Sequence, residues 1–136
     1  MSIWHSMCLA AAVATSAVLA GPASAQDQPI KRTELLRYDQ PGVPGKEVVV
    51  YVADLAPGAN GGRHHHPGEQ IAYVVQGTIV IKPDNGPPVM LRQGEMIHNP
   101  ASQVHNVWNA SAVAPAKVYV VMVGADKGQP LAIPDK

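Results

Sequence analysis

The sequence lacks cysteine outside its first 25 residues, where Cys8 is the only one. If that segment is removed, the remaining chain can form no disulfide and can offer no thiolate to a metal. The domain must then be stabilised by its hydrophobic core, by a bound metal or by a partner subunit. An exported protein without disulfides is compatible with a bacterial periplasm.

The sequence also lacks a charge excess, because ten Lys and Arg residues balance ten Asp and Glu residues. No basic cluster suggests a nucleic-acid partner or a membrane-surface patch. A Ser-His-Asp set, paired carboxylates and a phosphate-binding glycine loop are all missing. We therefore expect a small-molecule ligand or substrate, and chemistry that does not depend on these motifs.

The first 20 residues lack Lys, Arg, Asp and Glu, and residues 7–19 are mostly Ala, Val and Leu. Ala23-Ser24-Ala25 follows as a small-residue cleavage signal, so residues 1–25 are predicted to be a secretory signal peptide. The alternative is a retained membrane anchor. The apolar run is short for that role, since a membrane span needs roughly 20 strongly apolar residues. We expect an exported, periplasmic protein with no membrane segment after cleavage.

Helical periodicity is absent beyond this segment, and short β-branched runs alternate with Gly- and Pro-containing turns. This pattern predicts an all-β sandwich or barrel, with the longest strands at residues 46–55 and 117–123. Residues 26–45 are expected to form an N-terminal arm with a loose lead-in to residue 33, residues 46–123 the barrel, and residues 124–136 a surface tail. Strand 118–123 is apolar on both faces, which favours a homodimer that covers one of them.

Two motifs lie within this barrel. Gly58, His64, His66, Gln70 and Gly77 form the first, with the spacing G-x5-H-x-H-x3-Q-x6-G. The second runs from Gly94 through Pro100, Ser102 and His105 to Asn109, with the spacing G-x5-P-x-S-x2-H-x3-N. Together they resemble the two conserved motifs of the cupin superfamily, and the resemblance covers residues 46–123. It implies a small double-stranded β-helix (jelly-roll) barrel of antiparallel strands with one divalent metal in its mouth.

The resemblance assigns His64, His66, Gln70 and His105 as the metal ligands. Strand alternation agrees, because His64 and His66 share a face that His65 does not. Most cupins have Glu where this chain has Gln70, and two interpretations follow. In the favoured one the Gln70 amide oxygen is the fourth ligand; in the other, a bulge at Pro67-Gly68 brings Glu69 into the site.

Three imidazoles and one oxygen suit Fe, Mn, Ni, Cu or Zn. With neutral ligands the ion keeps its double charge and favours an anionic substrate. The sequence leaves open whether the protein is an enzyme: a dioxygenase-like activity, isomerase or lyase chemistry on a sugar acid, and a non-enzymatic ligand-binding module all remain. The candidate catalytic residues are Glu69 and His98. We expect His65 to be exposed and inert, and metal affinity to fall below roughly pH 6, near the pKa of free histidine.

Overall fold

The structure, a computed structural model, describes residues 30–136. The predicted signal peptide and the start of the N-terminal arm lie outside these residues. The described chain contains no helix and ten strands: β1 (Lys31–Asp39), β2 (Lys46–Leu55), β3 (His64–His65), β4 (Glu69–Gln76), β5 (Thr78–Pro83), β6 (Val89–Arg92), β7 (Met96–Asn99), β8 (His105–Asn109), β9 (Ala116–Asp126) and β10 (Ile133–Pro134). The all-β prediction is confirmed.

The strands form two five-stranded sheets with the orders β1-β2-β9-β4-β7 and β10-β3-β8-β5-β6. Every strand pair is antiparallel. Side chains from both sheets meet in one buried core, with Val49, Val74 and Met122 from the first sheet and Ile79 and Ile81 from the second. The two sheets therefore enclose one shared interior, which inward-pointing side chains of either sheet can reach.

Strand β4 shows how alternation decides which side chains face this interior. Gln70, Ala72 and Val74 are buried, whereas the intervening Glu69, Ile71 and Tyr73 are exposed. Successive residues of a strand point to opposite faces of the sheet. A polar residue on the inner parity, such as Gln70, is thereby delivered into the barrel.

Both ends of the described residues 30–136 pair with strands of the sheets, outside the range 46–123 predicted for the barrel. Strand β1 pairs with β2 from Lys31–Asp54 to Asp39–Glu47, and the expected loose lead-in at residues 31–33 is wrong. The apolar strand β2 would otherwise present an unpaired edge, which β1 covers. In the predicted tail, Ile133 and Pro134 pair with the histidine strand β3.

The outer face of the first sheet carries exposed apolar side chains, which we call the outer apolar face: Leu36, Ile71, Tyr73, Met96 and Tyr119. Tyr73 lies opposite both Met96 and Tyr119 in the strand register, so these side chains form a continuous row. The homodimer stays a prediction, and the outer apolar face is a candidate for its interface. No helix among residues 30–136 is long and apolar enough to span a membrane.

Candidate metal centre

Three buried histidines converge in the interior of the barrel. His64 on β3 lies directly opposite His105 on β8, and His66 follows β3 by one residue. Their potential ligand atoms all lie within 4.8 Å of one another, and the ring centroids are 4.7–5.1 Å apart. The structure thus brings together the three predicted histidines, and the cluster could hold a metal ion.

Each imidazole is oriented by a backbone carbonyl. The Nδ1 atoms of His64, His66 and His105 lie 2.8, 2.5 and 3.0 Å from the carbonyl oxygens of Gly62, Leu131 and Gln103. A carbonyl oxygen only accepts hydrogen bonds, so each Nδ1 carries the proton and donates. The lone pair of each ring is then on Nε2, the arrangement found in metal-binding histidines.

Burial keeps these rings neutral. Loss of solvation is the main cause that lowers the pKa of His64 to about 4 and that of His66 to about 3. It also lowers the pKa of His105, and the carbonyl hydrogen bonds oppose the shift in all three. Three neutral nitrogen donors with free lone pairs form a donor set that fits a divalent transition metal.

Gln70 lines the same cavity and is buried. Its Nε2 donates to the Tyr51 hydroxyl at 2.6 Å, while Asn99 Nδ2 donates a long hydrogen bond of 3.5 Å to its Oε1. Burial raises the pKa of Tyr51 to about 12, so this phenol stays neutral. The Gln70 side chain is therefore held in place through Nε2. Its Oε1 accepts only one long hydrogen bond, so it can accept a further partner.

The two candidate catalytic residues lie elsewhere. Glu69 and His98 are 63% and 57% exposed, and their side chains face each other at 3.5 Å on the outer face of the first sheet. Neither lines the cavity that holds the histidines. The structure gives no support to a catalytic role for either residue.

The start of β4 also contains no bulge that would turn Glu69 inward. Glu69 pairs with Val123 and Gln70 with Met122 in unbroken register. Gly68 instead serves a close approach, because a Cβ there would lie 2.7 Å from the backbone nitrogen of Ala125 and the carbonyl oxygen of Val123. Of the two interpretations, the geometry places only Gln70 beside the histidines.

Other contacts were not anticipated. His65 is half-buried and not exposed as predicted, and its Nδ1 lies 2.6 Å from the Asp135 carboxylate. The Leu131 carbonyl that orients His66 also comes from the C-terminal segment. Strand β1 contributes Arg32 to the cavity lining. These contributions come from segments remote from both motifs, and the sequence carried no pattern that indicated them.

The cavity is small and otherwise apolar. Its free volume is ≈ 40 Å³, and Ile30, Leu55 and Val107 are among the apolar residues that line it. No Asp or Glu is among the lining residues contributed by the described chain. Any proton transfer inside the cavity would therefore have to use a group other than a carboxylate of these residues.

Comparison with known proteins agrees with this fold and site. The cupin-domain family profile matches residues 51–122, more than half of the chain, and the protein belongs to the cupin superfamily. No curated protein matches its sequence. The fold is similar to that of an uncharacterised double-stranded β-helix protein from Klebsiella pneumoniae subsp. pneumoniae MGH 78578, with 24% identity and a TM-score of 0.60 over 82% of this chain and 89% of that one.

Two DMSP lyase structures are also similar. One, of the lyases RdDddP and RnDddQII, has 27% identity and a TM-score of 0.58 over 65% of this chain and 44% of that one. The other, DddQ from Ruegeria pomeroyi DSS-3, has 18% identity and a TM-score of 0.60 over 78% of this chain and 51% of that one. The present chain spans about half the length of these lyases.

Proposed function

We propose that the protein binds one divalent transition metal ion through His64, His66, His105 and Gln70, and that it acts on or binds a small acidic or oxygenated molecule there. The observation that carries this proposal is the convergence of three buried imidazoles whose Nδ1 atoms are all occupied by carbonyls. Such rings can offer only Nε2 to a common partner. The ion would be Fe, Mn, Ni, Cu or Zn.

A bound ion would act as a Lewis acid on a substrate oxygen. The chain's own residues would hold and shield that oxygen. Gln70 and Asn99 form a buried polar pair at the site, and the apolar lining excludes bulk water. Dioxygenase-like chemistry and isomerase or lyase chemistry on a sugar acid are the enzymatic candidates, and the 27% identity to a DMSP lyase structure supports the lyase class.

The alternative is a non-enzymatic module that binds a small ligand for sensing or uptake. The absence of a cavity carboxylate among the described residues favours it, as does the exposed position of Glu69 and His98. Tyr51 is a poor general base, because burial raises its pKa to about 12. Turnover assays of the metal-loaded protein with catechols, flavonols and unsaturated uronates distinguish the two functions.

Elemental analysis of the purified protein tests metal binding itself. The wild-type chain should contain about one ion, and the double variant His64→Ala, His66→Ala should contain none, since two of three imidazoles are lost. His98→Ala is a matched control, because it removes an exposed histidine on the outer face. A folded double variant that retains its full metal content would refute the site.

We further propose that the chain is exported and that two copies associate through the outer apolar face. Mass spectrometry of the mature protein should give an N-terminus at Gln26, the residue that follows the predicted cleavage site. An intact Met1 on protein recovered from the periplasm would contradict cleavage.

A further inference from the structure

Strand β1 brings one positive charge into the cavity. Arg32 lies opposite Ala53 in the β1–β2 register, and both residues line the cavity that holds the three histidines. The guanidinium atom Nη2 is 3.4 Å from His64 Nε2. Since His64 Nδ1 donates to the Gly62 carbonyl, Nε2 is the acceptor in this contact. This hydrogen bond is long and therefore weak, and the Tyr51 hydroxyl lies near the same guanidinium.

This charge has no counter-ion among the described residues. Arg37 pairs with Glu34 and Glu47, and Arg63 pairs with Asp84. Arg32, which is half-buried, has no carboxylate of residues 30–136 within 4.0 Å. A partly buried charge is costly unless it is paired and hydrogen-bonded. A partner supplied by a ligand would remove that cost.

Metal binding would increase the energetic cost of leaving Arg32 without an anionic partner. A metal ion bound through His64 Nε2 uses the lone pair that Arg32 now contacts, so the guanidinium loses this acceptor. The cavity would then hold a dication and a guanidinium, while its lining contains neutral imidazoles, amides and a neutral phenol. Two neighbouring positive charges in a cavity without carboxylates repel each other.

Building on the proposed metal site, we propose that Arg32 binds the carboxylate of the physiological ligand, and that this carboxylate bridges Arg32 and the metal ion. A carboxylate suits this role because its two oxygens can accept hydrogen bonds from a guanidinium and also contact a cation. The free volume of ≈ 40 Å³ limits what can enter. A cavity of this size favours a small acidic group such as a carboxylate head over a bulky ligand.

Metal and carboxylate should therefore bind cooperatively. By thermodynamic linkage, a carboxylate that binds better when the metal is present must increase the affinity for the metal by the same factor. Coupling between two such sites is typically about 5- to 150-fold, and we expect roughly tenfold here. Removal of the guanidinium should abolish most of this coupling. It should leave metal affinity without carboxylate unchanged or higher, because a repelling charge and a competitor for His64 Nε2 are gone.

The experiment measures the Zn²⁺ dissociation constant by competition with a chromophoric chelator, in propionate, in propionamide and in sulfate at matched ionic strength. For the wild-type chain, propionate should tighten Zn²⁺ binding roughly tenfold relative to propionamide, and sulfate should have a smaller effect. Arg32→Gln should bind Zn²⁺ without a propionate effect. Arg92→Gln, which removes an exposed arginine on β6, should behave as the wild-type chain.

Each failure has a distinct signature. A full propionate effect in folded Arg32→Gln would show that the metal alone recognises the anion and would overturn the role of Arg32. An equal effect of sulfate would show that Arg32 binds anions in general and has no preference for a carboxylate. Zn²⁺ binding without any propionate effect in the wild-type chain would refute the bridging carboxylate alone, whereas absence of Zn²⁺ binding would refute the proposed metal site as well. Thermal unfolding of each variant verifies that it is folded.

Discussion

The buried histidines should make the metal-depleted protein sensitive to mild acid. Their usual pKa is 6.5, and the fold lowers it to about 4 for His64 and about 3 for His66. At pH values between the unfolded and the folded pKa of a ring, the unfolded chain binds a proton that the folded chain does not. The free energy of unfolding therefore falls as the pH decreases through this range. This contribution is negligible above pH 7, develops below about pH 6.5, and levels off once the folded rings are also protonated.

The expected magnitude is large for a domain of this size. From pH 7 to pH 5, each of the two rings should reduce the free energy of unfolding by about 2 kcal/mol, or about 4 kcal/mol together. His105, whose pKa is also lowered by burial, acts in the same direction. Small domains have total stabilities of only about 5–15 kcal/mol. The chelator-treated protein should therefore lose a substantial part of its stability between pH 7 and pH 5.

Urea unfolding followed by tryptophan fluorescence, at pH 7 and pH 5 with a chelator present, measures this loss. His98→Gln is the matched control and should show the same loss as the wild-type chain, because it alters an exposed ring. The double variant His64→Gln, His66→Gln should lose much less stability between the two pH values. A wild-type free energy of unfolding that is equal at pH 7 and pH 5 would refute the reasoning, as would an unchanged loss in the double variant.

Three further predictions concern metal retention, the polar pair and the outer face. The pH at which half of the bound metal is released should lie below 6, because His64 and His66 resist protonation more than free histidine does. Elemental analysis along a pH titration measures this midpoint, and a midpoint at pH 6 or above would contradict the prediction. Tyr51→Phe should lower the free energy of unfolding by about 1–3 kcal/mol in urea titrations, because it leaves the buried Gln70 Nε2 without its acceptor; an unchanged value would show that Nε2 finds another partner. Size-exclusion chromatography with light scattering should give a dimer for the wild-type chain and a monomer for Tyr73→Lys on the outer apolar face, and a wild-type monomer at micromolar concentration would count against the dimer.

Alternation along strands made much of the interior predictable. A period of two places His64, His66 and Gln70 on one parity and Glu69 on the other, and burial follows that parity in the structure. These inferences succeeded because strand geometry is local and needs no knowledge of the partner strands.

The ends of the chain were harder to predict, for two physical reasons. Strand β1 has the sequence KRTELLRYD, which shows no regular alternation because it is an edge strand with most of its side chains exposed. Strand β10 has only two residues, too few to show any period. The contact from His66 to the Leu131 carbonyl uses a backbone acceptor 65 positions away, and any residue type could have supplied it.

The predicted metal site and the unpredicted contacts from the terminal segments lie in different parts of the chain, and this separation bears on function. The family match spans residues 51–122 and includes the three histidines and Gln70, so the shared part of the fold contains the complete candidate metal site. Arg32 precedes that region, and Leu131 and Asp135 follow it. If Arg32 selects the ligand, then membership in the family indicates the metal centre, whereas the terminal strands outside the match determine which molecule binds there. A relative with the same motifs but without a cation at the position of Arg32 should then differ in ligand while it retains the metal.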